Sequence, residues 1–92
     1  MARRSAPYDY DAFARELGLN LLRAREVKGW SQERVAHAAG LSGYTYQKFE
    51  KGESRPGAPM NPRLTTLLAL AEVLDTTVED LLPADRPAVA GY

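Results

Sequence analysis

The segment SQERVAHAAGLSGYTYQKFEKG, residues 31–52, constrains the fold of this chain more than any other feature. It is typical of two short helices joined by a tight turn. Ser31 and Ser42 each precede one helical stretch, and either side chain can accept a backbone N–H as an N-cap. Gly40 lies between the two stretches, where a left-handed backbone costs a glycine nothing. The segment therefore predicts helices over 32–39 and 43–51, the second of which stops at Gly52.

Small and large side chains in this segment fall where two helices could pack at a steep angle. Ala36 lies four residues before Gly40, where a bulky side chain would hold the helices apart. Apolar side chains between two such helices hold them against each other. In this segment the apolar side chains are Val35, Leu41, Tyr46 and Phe49. This packing leaves the outer face of the second helix free, and a free helix of this kind fits the major groove of DNA.

Composition limits the classes to which the chain can belong. Ninety-two residues allow one domain with one modest core. The chain has no cysteine, which excludes a disulfide framework and a cysteine-based metal site, and we interpret its single histidine, His37, as a solvated surface residue. No apolar run is long enough to span a membrane and no signal peptide is visible, so we expect a cytoplasmic protein. Without a cysteine nucleophile, a second histidine or metal-ligand spacing, we expect no enzyme activity, no metal and no cofactor.

Charge is distributed unevenly, although the net charge is zero. Residues 1–63 contain eleven of the twelve Arg and Lys residues but only seven of the twelve Asp and Glu residues, which gives a net charge of +4. Residues 64–92 carry a net charge of −4. A molecule polarised in this way can present a basic face to nucleic acid without a basic isoelectric point, although a small protein can also acquire such an asymmetry by accident.

The remaining segments predict three more helices and no sheet, so the expected fold is all-α with five helices. Asp9 or Asp11 can cap a first helix that ends before Gly29. The segment Glu53–Asn61 is rich in proline and glycine and is predicted to be a loop. The last two helices are expected over 63–74 and over 78–82, the latter capped by Thr77. The fourth helix should supply Leu64, Leu67, Leu70, Ala71 and Leu74 to the core.

These elements give a simple domain organisation. We expect a flexible N-terminal arm over 1–8, one helix-turn-helix domain over 9–83, and a flexible C-terminal tail over 84–92.

Three separated pieces of the chain, in order, resemble the XRE family of phage-repressor and Cro-like helix-turn-helix regulators. They are LGLNLLRAREVKGWSQERVAHAAGLS, FEKGESRP and LTTLLALAEVLDTTVEDLLP, and they extend over roughly residues 17–83. The resemblance implies a lambda-repressor-like domain that binds DNA. The chain departs from the family pattern by about six extra residues before Pro62.

The exposed face at the start of the third helix carries the candidate base-reading residues, Gly43, Tyr44, Gln47 and Lys48. The resemblance implies that Gly43, Tyr44 and Lys48 point at base edges. Lysine can donate to guanine O6 and N7, glutamine can pair with adenine, and a tyrosine ring can pack on a thymine methyl. Alternatively, Tyr44 packs on the second helix, and Gln47 and Lys48 belong to an ordinary solvated face.

A second group of residues is expected to contact phosphates. The resemblance implies this role for Gln32, which opens the second helix. The other candidates flank the same face in the predicted fold: Thr45, Lys51, Ser54, Arg55 and Arg63. By the same resemblance, Arg25 and Glu50 match an internal ion pair that fixes two helices against each other. We interpret Trp30 as a plug at the edge of the core rather than as a stacking platform.

The sequence thus favours a transcriptional regulator, and a repressor in particular, that binds double-stranded DNA as a homodimer on an inverted repeat. Dimerisation is inferred because one small domain reads too few base pairs, and the family commonly uses its last helices for it, here about 68–82. The alternatives are an antitoxin that binds a toxin and represses its own operon, and a helix-turn-helix module that binds protein without DNA. No membrane contact and no small-molecule ligand are expected.

Overall fold

A computed structural model describes residues 8–91, so the arm predicted for residues 1–8 lies, apart from Tyr8, outside the described residues, as does Tyr92 at the end of the tail. Residues 84–91 form no helix or strand. Within the described range, no helix is both long and apolar enough to span a bilayer. The elements in chain order are α1 Tyr10–Lys28, α2 Gln32–Ala38, α3 Gly43–Lys51, β1 Glu53–Arg55, β2 Ala58–Pro59, α4 Leu64–Val73 and α5 Val78–Leu81.

The helix boundaries follow from local capping chemistry, and the predicted caps are confirmed. The side chains of Asp9, Ser31, Ser42 and Thr77 each accept a hydrogen bond from the backbone N–H three residues further on. Helices α1 and α3 both end at a left-handed glycine, which brings a backbone N–H back to the last turn. Helices α2, α4 and α5 each end one residue earlier than predicted, because the last turn of a helix frays.

The expectation of a purely helical chain is wrong in one place, because the predicted loop contains a short antiparallel hairpin. Strand β1 pairs with β2 through Glu53 opposite Pro59 and Arg55 opposite Ala58, with an irregular register between the two pairs. The chain reverses at Pro56 and Gly57, and Gly57 has a φ of 81°. Proline presets the first central position of a tight turn and glycine supplies the positive φ of the second.

The start of α4 also differs from the prediction. Arg63, predicted as its first residue, has an extended backbone and acts as the N-cap residue without a side-chain hydrogen bond. Leu64 is 67% exposed, so its assignment to the core is wrong. A residue in the first turn is covered only if another element lies beside that turn. The buried part of the helix begins later, and includes Leu70 and Ala71.

The core draws a side chain from every helix. The largest fully buried side chains are Leu21, Val35, Tyr46, Met60, Leu70 and Leu81. Helix α1 lies at the centre of this arrangement, packed against α3, β2 and α5. Two polar side chains of α1 extend these contacts: the Tyr10 hydroxyl donates to the Met60 carbonyl at 2.8 Å, and Asn20 Nδ2 donates to the Leu81 carbonyl at 2.7 Å.

The end of α3 approaches α1 so closely that neither Gly18 nor Gly52 has room for a side chain. A Cβ on Gly18 would lie 2.6 Å from the Phe49 carbonyl oxygen and 2.7 Å from that of Glu50. A Cβ on Gly52 would lie 2.7 Å from Arg15 Cα. Backbone atoms in a close-packed interior cannot give way locally. These two glycines therefore set the distance between α1 and α3.

We expect Gly18→Ala to lower the free energy of unfolding by about 1–2 kcal/mol, because the added methyl group must displace backbone carbonyls. The better helix propensity of alanine, worth about 1 kcal/mol, offsets only part of that loss. Urea denaturation followed by circular dichroism measures the change.

Gly43→Ala is the matched control for this prediction. A Cβ on Gly43 would meet only the side chain of Glu33, with Cγ at 3.4 Å and Oε2 at 3.9 Å, so the stability of Gly43→Ala should be equal to or slightly above that of the parent. Equal stability of the two variants would show that the α1–α3 approach tolerates a side chain.

Candidate nucleic-acid interface

Helices α2 and α3 form the helix-turn-helix predicted from the sequence. In the turn between them Gly40 has a φ of 77°, and the Leu41 N–H donates to the Ala36 carbonyl at 2.8 Å. Val35, Ala36 and Tyr46 are buried, while Leu41 and Phe49 pack against the core from its edge. The inner faces of the two helices are thus buried in the core, and the outer face of α3 remains exposed.

A polar network behind α3 joins the first three helices. Arg25 Nε of α1 donates to Glu50 Oε2 of α3 at 2.6 Å, and Arg25 Nη2 donates to Glu50 Oε1 at 3.2 Å. Gln32 Nε2 of α2 donates to the same Oε1 at 2.8 Å. Arg25 Nη1 also donates to the Trp30 carbonyl at 2.9 Å, between α1 and α2. One carboxylate therefore binds groups from both neighbouring helices of α3.

The electrostatics of this network favour its charged form. Burial raises the pKa of Glu50, but the hydrogen bonds and charge of Arg25 together with the Gln32 amide outweigh it, so the pKa lies below its ordinary value. The hydrogen bond to Glu50 raises the pKa of Arg25. Burial raises the pKa of the adjacent Tyr46 phenol, and the Glu50 carboxylate adds to the shift. Arg25 and Glu50 are accordingly ionised, and Tyr46 neutral, at ordinary pH.

Trp30 closes the edge of the core where α1 meets α2, as a plug rather than an open platform. It packs against the buried cluster and contacts two cations, with Lys28 Nζ 4.4 Å and Arg34 Cζ 3.9 Å from its ring centre. Lys28 Nζ also lies 2.5 Å from Asp75 Oδ2, just after α4. The cation–π contacts orient the ring, and the ion pair extends this cluster to the end of α4.

The four candidate base-reading residues share one face of α3. Positions 43, 44, 47 and 48 are neighbours on a helix because residues three and four apart lie one above the other. Tyr44 is 69% exposed and Gln47 is exposed, while Gly43 and Lys48 are partly exposed. Lys48 Nζ lies 4.8 Å from the centre of the Tyr44 ring. The ring of Tyr44 thus faces outward and contacts Lys48.

The candidate phosphate-contacting residues divide into two groups. Lys51, Ser54, Arg55 and Arg63 are exposed, the first at the end of α3 and the next two on β1. Gln32 and Thr45 have internal partners instead: Gln32 Nε2 donates to Glu50, and Thr45 Oγ1 accepts from the Ser42 hydroxyl at 2.9 Å. The hairpin that follows Gly52 therefore carries two of the exposed candidates, Ser54 and Arg55.

Sequence reasoning missed two contacts near this surface. The contact between Tyr44 and Lys48 could have been found from their spacing of four residues within one helix. The hydrogen bond from Gln32 to Glu50 joins residues 18 apart in sequence and depends on how α2 crosses α3. Among the residues that the structure describes, no group of three or more His, Cys, Asp or Glu side chains is placed to hold a metal ion.

Comparison with known proteins identifies relatives over most of the chain. A family model described as a helix-turn-helix domain matches residues 16–84. The HTH-type transcriptional regulator AnsR of Bacillus subtilis (strain 168) is 33% identical over 66 residues, which cover 72% of this chain and 52% of AnsR. The chain thus matches about half the length of this curated relative.

Two solved structures share the fold. The restriction-modification controller protein C.AhdI from Aeromonas hydrophila matches with a TM-score of 0.68 and 31% identity, over 77% of this chain and 98% of that one. The hypothetical transcription factor NHTF from Neisseria matches with a TM-score of 0.67 and 25% identity, over 90% of this chain and 88% of that one.

A double-mutant cycle on Arg25 and Glu50 tests the energetic role of the network. Each single alanine variant should lose about 3–5 kcal/mol of unfolding free energy, because it leaves its partner's charge sheltered and uncompensated. The double variant should lose much less than the sum of the two. The surface pair of Lys28 and Asp75, in which the Asp75 carboxylate is largely exposed, provides a control cycle with a coupling of about 1 kcal/mol or less. Additive effects below a kilocalorie at Arg25 and Glu50 would contradict the proposed role.

The lowered pKa of Glu50 predicts a loss of stability in acid. Below its ordinary value of 4.5 the unfolded chain takes up a proton that the folded protein still excludes. The stabilisation is therefore complete above that value and is lost as the pH falls through the folded pKa. Unfolding free energies measured from about pH 6 to about pH 2 should fall more steeply for the parent than for Glu50→Gln. If the unfolding free energies of the parent and of Glu50→Gln fell in parallel with pH, the lowered pKa of Glu50 would be contradicted.

Proposed function

Because the chain belongs to the XRE family of helix-turn-helix regulators, we propose that it is a sequence-specific transcriptional repressor that binds duplex DNA as a homodimer on an inverted repeat. The observation that carries the proposal is the open outer face of α3. Its exposed polar and aromatic side chains stand on a helix whose inner face is buried against α1 and α2. A helix of this form fits the major groove, where each base pair presents a distinct pattern of donors and acceptors.

The exposed cations beside α3 support contacts with the DNA backbone. Lys51 ends the helix and Arg55 lies at the end of β1, on the hairpin that directly follows it. Both side chains are exposed. Such cations neutralise phosphates and fix the position of a protein on the duplex without selecting its sequence. Base selection is then the task of Tyr44, Gln47 and Lys48.

The polar network behind α3 supports a rigid mode of recognition. Gln32, which the family resemblance assigns to a phosphate, donates one amide hydrogen to Glu50. A glutamine amide carries two N–H donors. The second remains for a phosphate at the start of α2, so that one side chain would join the network to the DNA backbone.

Dimerisation is supported by apolar side chains on α4 that this chain leaves uncovered. Leu64 and Leu68 are 67% and 52% exposed and lie one helical turn apart. Together with the predicted interface over 68–82, they form a surface suited to a second copy. Two copies would read half-sites about 34–36 Å apart, the repeat of one turn of DNA.

Selection from a random duplex library, followed by binding measurements at several salt concentrations, tests the proposal. We expect the recovered sites to be inverted repeats and the protein to be a dimer by light scattering at binding concentrations. Lys51 and Arg55 of two subunits give at least four cationic contacts, so log affinity should fall with log salt with a slope of about −3.6 or steeper. Binding that is nearly independent of salt, or a monomeric protein, would favour a protein-interaction module or an antitoxin instead.

Variants of Lys48 and Arg55 separate base reading from phosphate binding. On the selected site Lys48→Ala should lose about 1–3 kcal/mol of binding free energy and relax the preference at one position per half-site. Arg55→Ala should weaken binding to the selected site and to random duplex nearly alike, because phosphates carry no sequence. Equal losses on both duplexes for Lys48→Ala would exclude its assignment as a base reader.

A further inference from the structure

Tyr44 and Lys48 of α3 form a preassembled pair on the open face of the helix. Lys48 Nζ lies 4.8 Å from the centre of the Tyr44 ring, within the range of a cation–π interaction. Their spacing of four residues places one side chain above the other. The ring remains 69% exposed with the ammonium beside it. The pair therefore presents an apolar ring surface and a cation side by side to any ligand of α3.

The contact orients the Lys48 ammonium without neutralising it. Neither ion pair found among residues 8–91 involves Lys48. A carboxylate partner would compensate the charge and have to be displaced by a ligand, whereas an aromatic ring leaves the three N–H donors able to reach other acceptors. The ring thereby reduces the freedom of a long side chain while its charge stays available.

The spacing of the pair lies between one and two base-pair steps and is nearer to one. Successive base pairs are stacked about 3.4 Å apart, and pairs two steps apart are separated by about 6.8 Å. The separation of 4.8 Å between ring centre and ammonium lies closest to a single step. In the major groove a ring can pack on the C5-methyl group of thymine, and a lysine can donate to guanine O6 and N7.

We propose that Tyr44 and Lys48 act as one composite reader of two adjacent base pairs, a thymine contacted by the Tyr44 ring and a guanine contacted by the Lys48 ammonium. The assignment rests on the function proposed above. In it Tyr44 has two roles, since it reads the thymine methyl directly and positions Lys48 for the guanine. Recognition of the two bases is therefore coupled, and loss of the ring impairs reading of both.

The test uses the full chain and the duplex recovered by library selection, with one base atom changed at a time. Uracil in place of the thymine removes only the C5-methyl group, and 7-deazaguanine removes only the N7 acceptor. For the parent protein we expect a loss of about fourfold in affinity with uracil and of about tenfold with 7-deazaguanine. Each substitution is then measured with Tyr44→Ala, Tyr44→Phe and Lys48→Met.

Tyr44→Ala should abolish the uracil effect and reduce the 7-deazaguanine effect about two- to fivefold, because the ammonium is no longer held. Tyr44→Phe retains the ring and should restore both effects. Lys48→Met should abolish the 7-deazaguanine effect alone. His37→Ala, at an exposed position of α2 outside the proposed reading residues, is the control variant, because it should leave both base-substitution effects at their parent values. Circular dichroism of each variant checks that α3 still folds.

Three results would overturn the proposal. One is a selected half-site without an adjacent thymine and guanine. Another is an unchanged 7-deazaguanine effect in Tyr44→Ala, which would show that the two side chains read independently. In both cases salt-dependent binding of the parent protein to its selected duplex would leave the proposed function intact. The third is absence of duplex binding by the parent protein, which would reject both the composite reader and the proposed function.

Discussion

The arrangement of the first three helices depends on the hydrogen bonds that the Glu50 carboxylate accepts. It receives hydrogen bonds from Arg25 of α1 and Gln32 of α2 while its own backbone belongs to α3. Apolar packing is non-directional and tolerates small slips between helices. A charged, sheltered hydrogen-bond network has definite geometry, and leaving it half made is costly. Packing thus holds the helices together, and Glu50 defines their angles.

Close backbone approach complements this network at the same end of α3. Gly18 and Gly52 let α1 and the end of α3 come within a distance that no side chain would permit. The approach lies beside the Glu50 carbonyl, so one short stretch of α3 is fixed by both its backbone and its side chain. The hairpin begins directly after this stretch, and Arg55 on β1 takes its position from the same anchor.

Features of this fold that depend on local chemistry could be predicted from the sequence, and features that depend on how elements cross could not. Caps such as Ser31 act within one helical turn, so the sequence alone reveals them. The hairpin around Gly57 was missed because strands of two and three residues show no periodicity. The exposure of Leu64 and the close approach at Gly18 depend on neighbouring elements that sequence spacing does not describe. The outward face of α3 could be predicted because the helix is short and regular, which puts its exposed residues in a fixed order.

The residues of α3 alternate between two environments. Tyr46 and Glu50 are buried and hold the helix in place, whereas Tyr44 and Gln47 are exposed. Under the proposed function, substitutions on the exposed side would therefore change recognition with little effect on folding. A gene duplicate of such a protein could acquire a new target sequence through a few codon changes while its fold stayed the same. The fold thus allows the proposed DNA-contacting residues to diverge in sequence. Randomising the outward positions of α3 would be a practical way to engineer altered DNA specificity.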